Sequence, residues 1–271
     1  MKYKQSLHVH STFCDGKDTP EEMILKALEK GFDSIGFSGH SNTPHSPQFC
    51  MSAEGTREYI KEINRLKQKY NGKIDIFCGL EYDISYYTDI SDYEYVIGTV
   101  HYLEIDGKKV GFDRSEEIVK EVIDTYFGGD GMKYAKAYYE KLATLPQYGK
   151  FDIIGHIDII TKHSENADFF DIESEEYKGY AVKALESLAG KIPYFEVNTG
   201  AIARGYRTTP YPAPFLLDEL KRLGFGAVIT SDCHDCNMLD CGYDEAVALL
   251  KKHGFNEIYI LTKNGFVPIE I

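Results

Sequence analysis

Residues 7–15 read Leu-His-Val-His-Ser-Thr-Phe-Cys-Asp, a short apolar run that carries two histidines and ends in a carboxylate. Side chains two positions apart in a β-strand point to the same face, so a strand here places His8 and His10 side by side. Neutral imidazole is a common metal ligand, and a nearby carboxylate such as Asp15 suits a divalent ion. The stretch predicts one wall of a metal site, although two incidental histidines on a surface strand would have the same spacing.

The same combination recurs along the chain, because one strand-like run after another ends in a histidine or a carboxylate. The further candidate ligands are His40, Glu81, His101, His156, Asp232 and His234. Short apolar strands alternate with helical segments, which indicates parallel βα units, and we interpret them as a barrel rather than an open sheet. The carboxyl ends of barrel strands form one face, where active sites lie. The pattern therefore predicts a multi-metal site on that face.

The periodicity and the helix start and stop signals predict a succession of elements. The predicted strands after the first are 34–38, 74–80, 95–100, 151–155, 194–198 and 227–230, with a closing strand at 258–261. The predicted helices are 18–30, 53–70, 115–127, 132–145, 173–189, 214–223 and 243–253. The region between His101 and the strand at 151–155 is predicted to be irregular and mainly helical.

Composition limits the possible partners and the compartment. A net charge of −13 argues against binding to a nucleic-acid backbone or an anionic membrane. No run approaches the roughly 18 apolar residues of a membrane span, and the chain enters its first strand too early for a signal peptide, so a cytoplasmic protein is expected. The six cysteines are unevenly spaced, and Cys233-x-x-Cys236 has no second copy, which favours reduced thiols over disulfides or a zinc knuckle.

These motifs resemble those of the PHP (polymerase and histidinol phosphatase) superfamily. The resemblance is carried by His8-Val9-His10, Asp15, Gly39-His40, Glu81, His101, Gly155-His156 and Ser231-Asp232-Cys233-His234, which span almost the whole chain in the family's order. The length and the Asn198-Thr199-Gly200 segment look most like the histidinol-phosphate phosphatase branch. The resemblance implies an α/β fold, a distorted TIM-like barrel of seven β/α units, with residues 1–271 as a single metal-dependent phosphatase domain.

The resemblance also implies three divalent metal ions and a division of their ligands. One metal takes His8, His10, Glu81 and Asp232; a second shares Glu81 as a bridge and adds His101 and His156; the third takes Asp15, His40 and His234. The family's usual Asp-His pair is Gly39-His40 here, but that aspartate is not among the implied ligands. Mixed histidine and carboxylate sites accept Zn, Mn or Fe, so the sequence does not choose among them.

Closely spaced divalent cations lower the pKa of a bridging water and neutralise the oxygens of a phosphoryl group. Together with the resemblance, this chemistry predicts a phosphomonoesterase that hydrolyses L-histidinol phosphate, in histidine biosynthesis, by attack of a metal-bridging hydroxide. The residues expected to act in catalysis are Glu81, Asp232 and His234. The leaving alkoxide needs a proton, which Asp232 or a histidine near the metal ligands could relay from water.

Four residues are candidates for contacts with the substrate. Arg204 and Arg207 follow a strand end in a Gly-flanked loop, and the arginine fork matches phosphate oxygens. An exposed loop pair is the alternative explanation for them. Lys162, after the fifth strand, is a weaker candidate, and His45 lies in a loop just beyond His40, where a purely structural role is equally compatible. The amine of histidinol phosphate is cationic, but no single carboxylate in the sequence stands out as its partner.

Three other functions compete with this interpretation. The nearest is a PHP phosphoesterase that acts on nucleotides or oligonucleotide ends, although the acidic balance and the lack of a basic stripe disfavour long nucleic acid. A small phosphomonoester is therefore the expected partner. An amidohydrolase-like barrel would cleave C–N bonds, but the lysine typical of that family is missing from the ligand positions. A non-catalytic, metal-stabilised module is disfavoured by the complete ligand set.

Overall fold

The framework of the fold is a parallel β-sheet. The structure is a computed structural model and describes residues 3–271. The strands are β1 (Gln5–Ser6), β2 (Ser34–Phe37), β3 (Asp75–Asp83), β4 (Tyr95–Thr99), β5 (Tyr102–Ile105), β6 (Lys108–Gly111), β7 (Ile153–Ile154), β8 (Tyr194–Asn198), β9 (Gly226–Thr230), β10 (Glu257–Thr262) and β11 (Gly265–Glu270). Seven of them pair in parallel in the order β1-β2-β3-β4-β7-β8-β9. This order follows the chain, as repeated βα units require.

The two edges of this sheet meet and close it into a barrel. Val9 and Cys233 form a parallel bridge beyond β1 and β9. The backbone N–H of His10 donates to the Cys233 carbonyl at 2.9 Å, and the N–H of Cys233 donates to the His8 carbonyl at 3.1 Å. The first strand was predicted from residue 7 onward, but the ladder with β2 comprises only Gln5–Ser6, and the chain after it pairs only through this bridge. The closure brings the His8-Val9-His10 segment against the end of the last barrel strand.

Helices cover the outside of the barrel, and all of them except the short α6, which was not predicted, begin and end close to the predicted positions. They are α1 (Pro20–Glu29), α2 (Ala53–Lys69), α3 (Glu116–Phe127), α4 (Gly131–Leu142), α5 (Glu175–Leu188), α6 (Gly200–Ala203), α7 (Pro214–Arg222) and α8 (Tyr243–Lys252). The start of α1 shows why local sequence predicts them, because Thr19 and Glu22 form a capping box and Pro20 occupies the first turn. Among residues 3–271, no helix combines the length and the apolar character of a membrane span.

Two hydrophobic clusters hold the barrel in place. The larger one lies between the helices and the sheet, and a smaller one gathers buried strand residues such as Phe77, Ile97 and Val228. Phe77 and Glu81 lie on the same face of β3, so we place the smaller cluster inside the barrel, below the carboxyl-end rim. Leu261 belongs to this cluster, and the half-buried Phe266 packs against it. Apolar packing therefore fills the amino-terminal end of the barrel and leaves polar groups at the opposite end.

Two predicted segments differ from the structure. The strand predicted at 258–261 is not part of the seven-stranded sheet but pairs antiparallel with Gly265–Glu270, since the barrel is already closed by the Val9–Cys233 bridge. Residues 102–111, expected to be irregular and mainly helical, form the hairpin of β5 and β6. Asp106 and Gly107 at its turn have φ of 50° and 74°, as a two-residue Asp-Gly hairpin turn requires.

Candidate metal centre

All nine predicted ligands lie at the carboxyl ends of the barrel strands. His8 and His10 flank the closing bridge, His101 and His156 follow β4 and β7, and Glu81 lies within β3. His40 extends β2 through a bridge to Glu81. Asp232 follows β9 and adopts φ of 44°, a left-handed conformation that is uncommon outside glycine and is enriched at functional sites.

Four of these side chains converge at the centre of the rim. The Nε2 atoms of His8 and His10 lie 3.3 and 3.5 Å from Glu81 Oε2. The same nitrogen atoms lie 3.8 and 3.2 Å from Asp232 Oδ1. Tetrahedral ligands at 2.0–2.2 Å from a cation are separated by about 3.4 Å, so these atoms have the spacing of a coordination shell.

Glu81 turns its second oxygen toward a different pair of histidines. Its Oε1 atom lies 3.0 Å from His156 Nε2 and 3.3 Å from His101 Nε2. One buried carboxylate thus faces two groups of imidazoles, one group on each oxygen. This is the arrangement that a carboxylate bridging two cations requires.

A third group lies nearer the opening of the cavity. Asp15 Oδ1 is 3.4 Å from His234 Nε2, and Asp15 Oδ2 is 3.7 Å from His40 Nε2. Ligand atoms of these residues and of His10 all lie within 4.8 Å of one another. The three residues are only partly buried, in contrast to the fully buried His8 and His10.

Several buried polar atoms in these groups have no hydrogen-bond partner among the described residues, namely His8 Nε2, His10 Nε2, Asp15 Oδ1 and Glu81 Oε2. A buried polar atom without a partner is costly, and native structures rarely tolerate several together. All four are atoms that can ligate a divalent cation. The donor set therefore fits bound metal ions.

The electrostatics of the cluster couple its carboxylates to its imidazoles. Burial alone would raise the pKa of Glu81, but His40, His8 and His101 hold it well below its ordinary value. Burial alone would lower the pKa of His8, but Glu196 and then Glu81 raise it to about 10. Burial lowers the pKa of His234 to about 4. The concentrated negative charge of the carboxylates favours cations at this rim.

Glu196 is a functional residue that the sequence analysis missed. It is fully buried in β8, and its Oε2 accepts hydrogen bonds from His8 Nδ1 and Thr230 Oγ1, both at 2.8 Å. Its Oε1 accepts from the backbone N–H of His156 at 2.6 Å and from Asn198 Nδ2 at 2.8 Å. With Nδ1 of His8 held by this carboxylate, Nε2 faces the ligand cluster. A carboxylate behind a ligating histidine fixes the ring and its tautomer in this way.

Asp83 has the same relation to His101. Its Oδ2 accepts from the backbone N–H of His101 at 2.6 Å and lies 3.2 Å from the Nδ1 atom of the same residue. His101 therefore also directs Nε2 toward Glu81. Each supporting carboxylate lies two positions from another polar side chain on the same strand, in Glu81-x-Asp83 and Glu196-x-Asn198. Side chains two apart on a strand share a face, so this alternation in the sequence could have indicated the supporting residues.

The predicted substrate contacts separate into two groups. Arg204 and Lys162 line a cavity of ≈ 690 Å³ above the ligand cluster, and Arg204 Nη2 lies 2.9 Å from Asp232 Oδ2. Arg207 is not among the residues that line the cavity; its guanidinium donates to the Thr161 carbonyl at 3.2 Å and lies over the Tyr211 ring. His45 also lies outside the lining and packs edge-on against Tyr102.

The chain has relatives of known family along most of its length. The PHP domain family matches residues 6–200. A Deinococcus radiodurans protein named "probable histidinol-phosphatase" is 30% identical over 261 residues, which are 91% of this chain and 92% of the relative.

Solved structures share the fold. A Listeria monocytogenes protein assigned as a histidinol phosphatase superposes with a TM-score of 0.78 at 24% identity, over 89% of this chain and 99% of that one. A histidinol phosphate phosphatase from Lactococcus lactis, solved with Zn, L-histidinol and phosphate, gives 0.73 at 23% identity, over 97% and 98%. The predicted PHP fold is confirmed, and from the family match together with the Deinococcus relative, this chain belongs to the PHP domain family.

Proposed function

We propose that this protein is a metal-dependent phosphatase that hydrolyses L-histidinol phosphate to L-histidinol and phosphate. The observation that carries the proposal is Glu81, whose two oxygens face separate groups of histidines beneath a cavity with Arg204 and Lys162. The substrate is supported by the name of the Deinococcus relative and by the histidinol and phosphate in the Lactococcus structure. The cytoplasmic location and the exclusion of long nucleic acid stay predictions of the sequence.

The proposed ligands are those of the three groups described above. The first metal would be held by His8, His10, Glu81 and Asp232, the second by Glu81, His101 and His156, and the third by Asp15, His40 and His234. Zn, present in the Lactococcus structure, is one candidate beside Mn and Fe. Bound divalent cations supply Lewis acidity and lower the pKa of water.

The protein's own side chains complete the chemistry. Arg204 and Lys162 bind the phosphate oxygens of the ester, because both cations line the cavity above the cluster. Asp232 lies between Arg204 and His10 and lines the cavity, where it would relay a proton from water to the leaving alkoxide. Residues 1–271 act as a single domain, since β9, beyond the family match, closes the barrel and delivers Asp232 and His234.

The test is phosphate release by purified, metal-reconstituted protein from histidinol phosphate, nucleoside monophosphates, dinucleotides and aryl phosphates. We expect a strong preference for histidinol phosphate. A preference for nucleotides would refute histidinol phosphate as the substrate but leave the proposed metal centre standing. No phosphate release from any ester, with metals verified as bound, would refute the phosphatase activity itself. Arg204→Ala should raise KM more than Arg207→Ala, because only Arg204 lines the cavity.

The pH dependence of phosphate binding gives a separate prediction for Lys162. Burial lowers the pKa of its ammonium, Arg204 adds to that shift, and Asp113 and Asp232 oppose it. Lys162 therefore loses its charge at a lower pH than an ordinary lysine, whose pKa is about 10.4. We expect kcat/KM to fall as pH rises through this lowered value, and the alkaline limb to move to higher pH in Lys162→Arg, because arginine stays charged. Superimposable pH profiles for the two proteins would contradict the assignment.

A further inference from the structure

Among the described residues, one carboxylate that lines the cavity has no partner side chain. Six carboxylates line it: Asp15, Glu81, Asp83, Asp113, Asp232 and Asp235. Five of them pair with cationic or imidazole side chains: Asp15 and Glu81 with histidines, Asp83 with His101, Asp232 with Arg204, and Asp235 with Lys17. Within residues 3–271, the Asp113 carboxylate has no hydrogen-bond or ion-pair partner. A carboxylate free to accept in a cavity is available to a bound ligand.

The backbone around Asp113 is fixed, so this carboxylate is held in place rather than loose. Phe112, just beyond β6, is fully buried. The Asp113 carbonyl accepts a hydrogen bond from Lys162 Nζ. Arg114 donates to Ser46 Oγ at 3.0 Å, and its guanidinium lies 4.7 Å from the centroid of the Phe49 ring. The residues on both sides of Asp113 are thus anchored to the cavity walls.

Asp113 lines the same cavity as the proposed phosphate-binding and metal-binding residues, and its backbone is hydrogen-bonded to the proposed phosphate ligand Lys162. Burial lowers the pKa of Lys162, and the Asp113 charge is the main effect that opposes this shift. His101, a proposed metal ligand, lines the same cavity. The carboxylate is therefore within electrostatic reach of a proposed phosphate ligand, in a cavity that a proposed metal ligand also lines. Phe49, Tyr102 and Tyr206 provide aromatic surfaces in the same lining.

We propose that Asp113 determines substrate specificity by binding the primary ammonium of an amino-alcohol phosphate. This inference rests on the proposed function and deepens it. In histidinol phosphate the ammonium is on the carbon next to the ester carbon, a short distance from the phosphoryl group. A carboxylate near the phosphate-binding side is placed for that cation, and an ammonium–carboxylate hydrogen bond is of the stronger, charge-assisted type. Phosphomonoesters without the amine leave Asp113 without a partner.

The experiment compares Asp113→Asn with wild type on histidinol phosphate and on its deamino analogue, 3-(imidazol-4-yl)propyl phosphate. We expect kcat/KM for histidinol phosphate to fall about 10- to 100-fold, mainly through KM, because a charge-assisted hydrogen bond is lost. The value for the deamino analogue should stay within about twofold. Asp106→Asn is the matched control, since it makes the same charge change at an exposed hairpin turn and should leave both values unchanged.

Equal losses on both substrates would overturn the inference and leave the proposed function standing. Wild type that releases phosphate from other esters but not from histidinol phosphate would refute the proposed function. The pair of phosphoethanolamine and ethyl phosphate then tests Asp113 separately. A preference for the amine that disappears in Asp113→Asn supports the inference, and the absence of such a preference overturns it.

Discussion

We expect Glu81→Gln to lower kcat/KM for phosphate release by on the order of 10³-fold and to reduce the metal bound per chain. Glu81 faces His8 and His10 through Oε2 and His101 and His156 through Oε1. Glutamine keeps the shape but offers one neutral oxygen, so only one of the two groups retains a good ligand. Loss of one electrostatic contributor to a transition state typically costs 10²–10³-fold, and here two groups are affected.

The measurement combines steady-state kinetics with metal analysis of the purified variant. Glu140→Gln is the matched control, because this glutamate is exposed on α4 and lies 3.8 Å from Lys136 in a surface ion pair. The control should keep wild-type activity and metal content, and circular dichroism should show that Glu81→Gln retains its fold. A Glu81→Gln protein with full metal content and near wild-type kcat/KM would refute the bridging role.

The barrel was predictable because its signals are local. Most barrel strands are short apolar runs, the helices α1 to α5 each begin after a capping side chain such as Thr19 or Ser52, and the side chains with metal chemistry follow the runs closely. The positions that decide the site are therefore adjacent in sequence to the positions that decide the fold. The antiparallel hairpin at 102–111 was missed although Asp106-Gly107 is a hairpin signal, since its strands are short and only partly buried.

The supporting residues were not predictable in the same way. The sequence does not distinguish Arg204 from Arg207, but only Arg204 lines the cavity. Arg207 is held instead by Thr161, which is distant in sequence, and by the ring of Tyr211, which no sequence signal singles out. Asp113 is one of 43 acidic residues and becomes distinct only when the partners of the other cavity carboxylates are known. Such distinctions depend on tertiary contacts, which spacing along the chain does not contain.

Glu196→Gln should weaken metal binding about 10- to 100-fold, although we propose no direct contact between Glu196 and a metal. Glu196 accepts four hydrogen bonds, two on each of its oxygens. A glutamine must direct its own NH₂ group toward one of these pairs. The pair on Oε1 includes the backbone N–H of His156, which cannot become an acceptor, so the NH₂ group is expected to face His8 and Thr230.

His8 can accept from that NH₂ group only through an unprotonated Nδ1, and neutral histidine then carries its proton on Nε2. Nε2 is the atom that lies 3.3 Å from Glu81 Oε2 and is the proposed ligand atom. In the variant this atom carries a proton, which a metal must displace in order to bind. Competition with a chelator measures the loss of affinity, and ¹⁵N chemical shifts of the imidazole measure the change of tautomer. Glu186→Gln, an exposed residue paired with Arg222, is the control that should alter neither. Wild-type affinity in Glu196→Gln, with Nε2 of His8 unprotonated, would show that the orientation of His8 does not depend on this carboxylate.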